Sequence, residues 1–188
     1  MPTYYEDLLT RLTAIGSNLQ AAFASAGFES ELAQTSTLWR PEMAPSEPQN
    51  FADHLEIQSV VNLYASALDK QQWSALKGVF TEDAVADFVG IGACEGRQAI
   101  TDLVTSVLTQ CAATQHLLGN ITIQVSGDTA TATCYLTAMH LGIGDYATDI
   151  FTVWGEYADQ LIRTPDGWRI AHRTLTTIHA SGDIGLNG

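Results

Sequence analysis

"ATQHLLGNITIQVSGDTATATCYLTAMHLG", residues 113–142, decides how the rest of the chain is read. Apolar and polar residues alternate on both sides of Ser126, Gly127 and Asp128, which is the period of a half-buried strand, and the Gly-Asp pair marks a tight turn between two antiparallel strands. Two of the five histidines stand in it, His116 near the start and His140 near the end. With Ser126, Gly127 and Asp128 as a three-residue loop, Val125 opposes Thr129, His116 opposes Ala138 and His140 opposes Thr114. The two histidines then share one face as diagonal neighbours, with Cα atoms roughly 7–8 Å apart. A two-residue loop turns them to opposite faces unless a bulge near Gly119 restores the parity. Ala130, Ala132, Cys134, Leu136 and Ala138 share that face, and side chains this small leave room for a cavity.

Two more strands follow at about 148–163 and 168–179, joined by the "TPDG" turn, and the short connections make sequential neighbours antiparallel. Ahead of the hairpin the period is helical. Ile57, Val60, Val61, Tyr64 and Leu68 form one apolar face of a helix ending near Asp69, "QQWSALKGVF" gives a short second helix, and residues 97–108 give a third after the brief strand "AVADFV". Helices first and hairpins after predict an α+β domain, a curved antiparallel sheet wrapped around helices, and strands that curl in this way can leave a hollow where ligands bind.

The first fifty residues have a different grammar. Thr3 and Glu6 form a capping box, Leu8, Leu12, Ile15, Leu19, Ala22 and Phe23 recur at helical spacing up to Gly27, and Pro41, Pro45 and Pro48 then mark a linker. The expected domains are 1–50, an N-terminal amphipathic helix and Pro-rich linker; 51–182, the main domain; and 183–188, a tail. The helix's apolar stripe needs burial, against the domain or across a subunit boundary, so a homo-oligomer, dimer or trimer, is expected.

Composition narrows the partners. With 21 acidic and 8 basic residues the net charge is −13, which opposes nucleic acid and anionic membranes. No apolar run reaches the ~20 residues of a membrane span, and "MPTYYEDLLTRL" lacks the basic and apolar parts of a secretory signal, so a cytoplasmic location is expected. Cys94, Cys111 and Cys134 are odd in number, lack C-x-x-C spacing and read as reduced thiols. There is no phosphate loop or nucleophile elbow, and "GIGACEG" lacks the spacing of a dinucleotide fingerprint. No cofactor is expected.

Asp69 follows an apolar helical face and is therefore aimed at the sheet. A carboxylate there fixes the tautomer of an imidazole and stabilises its cation. The runs "YASALDKQQWSALKGVFTEDAVADF", "GRQAI", "TQHLLGN", "GDTATATCYLTAMHL" and "RTPDGWRIAHR" resemble the SnoaL-like branch of the nuclear transport factor 2-like superfamily over about residues 54–180. The resemblance implies a cone-shaped α+β fold with a deep pocket. Within the superfamily the pattern is similar to that of scytalone dehydratases, and more distantly to hexachlorocyclohexane dehydrochlorinases. It implies catalytic Asp69, in "ALDKQQW", His116, in "QHLLGN", and His140 on the next strand. Where the dehydratases carry tyrosines this chain has Leu68 and Phe88. Together with Tyr64, Asn120 and Tyr157 these are the expected substrate-binding residues.

The expected function is a lyase of the dehydratase type, or an isomerase or cyclase, working by His/Asp acid–base chemistry on a small, mostly apolar, oxygenated ring metabolite of secondary metabolism. The alternative is a non-catalytic binding or assembly module on the same fold. The same three residues also have the composition of a 2-His-1-carboxylate metal site, a lesser reading because their spacing is not a familiar ligand spacing, so no metal is expected. His54, His172 and His179 read as structural or solvated, and Trp73, Trp154 and Trp168 as core.

Overall fold

The computed structural model describes residues 48–89 and 92–185, with side chains from residue 50. The expected N-terminal helix, most of its linker and the last three residues of the tail lie outside the described residues.

Helix α1, Pro48–Asp69, buries Ile57, Val60, Val61, Tyr64 and Leu68 on the face its periodicity defines. Its end is closed by two reversed hydrogen bonds, Gln72 N–H to Ala67 O and Gln71 N–H to Leu68 O, with Gln71 in the left-handed region at φ 51°. The closure makes Asp69 the last helical residue, a carboxylate at the negative end of the helix with no basic residue in the final turn to offset it. Local preference is overridden at this position, as happens at functional sites.

A 3₁₀ turn, Trp73–Gly78, leads into β1, Phe80–Phe88, which is longer than the expected strand. The expected Gly-rich turn holds a short strand, β2, Gly92–Glu95, before α2, Arg97–Leu108. Strands β3, Ala113–Ser126, β4, Thr129–Leu141, β5, Ile150–Thr164, and β6, Gly167–Ser181, complete one six-stranded sheet in the order β2-β1-β6-β5-β4-β3. Every neighbouring pair is antiparallel except β1 with β6, which is parallel. Short connections constrain only sequential strands, so the alternation gave no sign of that pair.

The β3–β4 hairpin corrects the expected three-residue loop. Ser126 pairs with Thr129, so the loop is Gly127 and Asp128 alone, with Gly127 at φ 60°. Between Gly119, opposite Tyr135, and Thr122, opposite Thr133, β3 carries one extra residue, and Asn120 adopts φ 52°. This bulge reverses the parity of the strand: Thr114, His116 and Leu118 face inward before it, Ile121, Ile123 and Val125 after it. The two-residue loop and the bulge next to Gly119 offset each other, the alternative the sequence left open, and His116 meets Ala138 while His140 meets Thr114.

Further register shifts at Trp154/Gly155 and Gln160/Leu161 curl β5 and β6 around the helices. A side chain at Gly155 would stand 2.7 Å from the Thr176 carbonyl, so the first of these needs a glycine. At the far end Asp53 of α1 accepts both terminal nitrogens of Arg163 at 2.8 Å and the Trp168 indole N–H at 3.2 Å, tying helix to sheet. Trp168 is fully buried and Trp73 packs against the core; Trp154 is not core but stacks on His179 at 5.5 Å and is 39% exposed.

Candidate active site

The concave side of the sheet, α1 and α2 enclose a cavity of about 540 Å³. Its walls are mainly aliphatic, with Leu103, Val104 and Leu136 among them, and this size suits a ligand of two or three rings. The polar groups that reach it come from few places, so they determine its chemistry.

Asp69 stands behind His116. Its Oδ1 is 2.7 Å from His116 Nδ1, its Oδ2 accepts the His116 backbone N–H at 2.9 Å, and Thr114 donates its hydroxyl to Oδ1 at 3.0 Å. A carboxylate accepts only, so Nδ1 of His116 carries the proton in this contact and Nε2 is left on the cavity side. Burial alone would raise the Asp69 carboxyl, but hydrogen bonds from the His116 ring and backbone, aided by Thr114, outweigh it and hold the group below its ordinary value. Asp69 is therefore ionised at neutral pH.

His140 lies edge-to-face with His116, ring centroids 5.7 Å apart and planes at 80°. Its Nδ1 donates to the Phe151 carbonyl across the β4–β5 pair at 3.2 Å, which leaves Nε2 as a bare acceptor. Burial, then the nearby His116, push the His140 imidazole below its ordinary value, so it is neutral at pH 7. One imidazole is backed by a carboxylate and the other is kept uncharged beside it, an arrangement that separates a proton carrier from a hydrogen-bond acceptor.

Of the expected residues, Tyr64, Leu68, Phe88, His116, His140 and Tyr157 line the cavity, with Asp69 one layer behind. Asn120 is a correction. It sits exposed at the bulge and its left-handed backbone, not a ligand, accounts for the residue type. No group of three His, Cys, Asp or Glu side chains among the described residues is placed to hold a metal ion.

Sequence reading missed the pair Arg173–Asp159. These directly paired residues of β6 and β5 lie under the cavity, with Arg173 Nε and Nη2 bonded to the two Asp159 oxygens at 2.7 and 2.6 Å. Both residues are buried, and the signal available was parity, since each falls two residues from an inward leucine. Phe151, whose carbonyl orients His140, left no signal because any residue supplies that group.

Residues 49–174 match the SnoaL-like domain model, and the chain belongs to that family, within the nuclear transport factor 2-like superfamily. An uncharacterized protein of Mycobacterium tuberculosis (strain ATCC 25618 / H37Rv) is 37% identical over 127 residues, 66% of this chain and 85% of its own length. A solved structure from Novosphingobium aromaticivorans, provisionally named an aromatic ring hydroxylase, is 32% identical, with a TM-score of 0.65 over 71% of this chain and 94% of that one. Another from Novosphingobium aromaticivorans DSM 12444, provisionally named a scytalone dehydratase, shares the fold at 22% identity, with a TM-score of 0.64 over 70% of this chain and 88% of that one. No helix among the described residues is long and apolar enough to cross a membrane.

Proposed function

We propose that this chain is a cofactor-independent lyase of the dehydratase type, or an isomerase or cyclase using the same proton transfers, acting on a small, mostly apolar, oxygenated ring compound. The observation that carries the reading is the 2.7 Å contact between ionised Asp69 and His116 at the wall of a 540 Å³ apolar cavity.

In a dehydration, His116 Nε2 takes the proton from a carbon next to a carbonyl, and the electrons of the C–H bond form the new double bond. The C–O bond breaks with its electrons on oxygen. The His116 cation, stabilised by Asp69, returns its proton to that oxygen and water leaves, so proton and charge balance within one imidazole. His140 has no proton on Nε2 while neutral; it accepts a hydrogen bond from the substrate hydroxyl and orients it. Isomerisation uses the same first step, with the proton returned to a different carbon. A positioned acid–base group is worth typically 10²–10⁴-fold, and orientation in the apolar cavity supplies more.

A homo-oligomer is part of the same reading. On the outer face of the sheet, Leu117 and Trp154 flank Thr137 across three paired strands, and both are exposed. Exposed apolar surface of this kind marks a contact face, here assigned to a second copy of the chain.

The test is a panel of cyclic β-hydroxyketones followed by the absorbance of the enone product, with binding measured in parallel. Wild type should turn over at least one member, and His116→Ala should retain the ligand and lose at least 100-fold in rate. Equal binding with no turnover in either protein would make the chain a binding module.

A further inference from the structure

Behind the cavity wall, under Tyr64 and Tyr157, lies a polar group that the acid–base scheme does not use. Arg173 is fully buried, its guanidinium carbon 4.2 Å from the ring centre of Tyr64 and 4.2 Å from that of Tyr157. Asp159 takes Nε and Nη2, while Nη1 has no hydrogen-bond partner within the protein. The Tyr64 hydroxyl lies beside both the guanidinium and Tyr157, and both tyrosines line the cavity.

We propose that the Tyr64–Tyr157 corner is a subsite for a neutral oxygen acceptor, a ketone carbonyl above all, with Arg173 as the positioning residue that fixes the two rings. The donor count favours it. The Tyr64 hydroxyl stands beside both Tyr157 and the guanidinium, and the Asp159 oxygens are already engaged by Arg173, so donors outnumber acceptors at this corner and the local need is for an acceptor. Charge excludes a carboxylate. Asp159 neutralises Arg173, and an added anion would lose its hydration with no net positive charge to receive it. Burial raises both phenols above their ordinary value, and Tyr157 well above it, so they remain protonated donors.

Shared walls link the corner to the histidines. Tyr64, Tyr157, His116 and His140 all line one cavity, so a ketone seated at the corner lies in the same enclosure as the imidazoles. The oxygen held by the tyrosines is then the carbonyl whose neighbouring C–H faces His116; this part rests on the proposed acid–base reading, whereas the binding preference does not.

Equilibrium dialysis of the full chain against 2-acetylnaphthalene, 2-ethylnaphthalene and 2-naphthoate separates the two. The first two differ by a carbonyl oxygen at nearly equal shape. Wild type should bind the ketone about 3–10-fold more tightly than the ethyl compound, the worth of one neutral hydrogen bond, and bind the carboxylate most weakly. Tyr64→Phe and Tyr157→Phe should each erode that preference while leaving ethylnaphthalene affinity unchanged, which also shows that the variants fold. His116→Ala should keep it. Equal affinities in wild type, a preference that survives the double Phe variant, a preference lost with His116→Ala, tighter naphthoate binding, or no binding of any probe would each overturn the subsite. Failure of the acid–base reading alone would show as an intact ketone preference without turnover.

Discussion

His116 and His140 face each other across 5.7 Å only because Asn120 is inserted in the strand between His116 and the turn. The two-residue turn at Gly127 and Asp128 would on its own send the histidines to opposite sides of the sheet, and the bulge reverses that. The pairing thus rests on a residue that never touches the cavity.

Deleting Asn120 should therefore break the site without removing any of its members. The inward residues of β3 before the bulge would turn outward, His116 with them, and activity should fall to the level of His116→Ala while the far half of the hairpin remains paired. Asn120→Val is the milder variant. It keeps the residue count but puts a β-branched side chain at φ 52°, and urea unfolding should show a loss of about 1–2 kcal/mol.

Asp159→Asn should cost more than any change on the cavity wall. It leaves the buried Arg173 guanidinium without its counter-charge between two aromatic rings, and breaking such a pair typically costs about 3–5 kcal/mol. Thermal unfolding should drop by roughly 6–20 °C for a chain of this size, by the usual ratio of unfolding free energy to entropy. An unchanged melting point would mean that the pair contributes nothing net.

The His140 imidazole is depressed in the folded protein, so the unfolded chain binds the proton more tightly. Its stabilising contribution is complete above the ordinary imidazole value of 6.5 and is lost as pH falls below it. Asp69, also depressed, acts in the same direction only below its ordinary 3.8. Urea midpoints between pH 7.5 and 5 should therefore fall more steeply for wild type than for His140→Gln.

Much of this was legible in the chain. The apolar stripe Ile57, Val61, Tyr64 and Leu68 placed Asp69 at a helix end, and period-two alternation gave the four long strands. The facing of the histidines was legible as well, through either a three-residue loop or a two-residue loop with a bulge near Gly119, and the second of these is the one the strand register has. Strand β2 was hidden because Gly92–Glu95 is short, mostly exposed and without alternation. Its parallel neighbour pair, β1 with β6, joins segments about ninety residues apart, which no local pattern encodes. Arg173 and Asp159 were passed over because charged residues are rarely fully buried, and only their pairing across two strands makes burial tolerable here. Asn120 was assigned to the pocket where strand parity alone does not decide the face; its backbone angle is the better reason for the residue.

Proton abstraction by His116 can be observed without knowing the natural substrate. With 2-acetylnaphthalene bound in D₂O, proton NMR of the methyl group next to the carbonyl reports deuterium uptake directly. Wild type should exchange these protons on the order of 10²–10⁴ times faster than His116→Ala at equal occupancy, with Asp69→Asn in between. Exchange at the same rate in wild type and His116→Ala, both saturated with the ketone, would contradict the assignment of His116 and Asp69 as the acid–base pair.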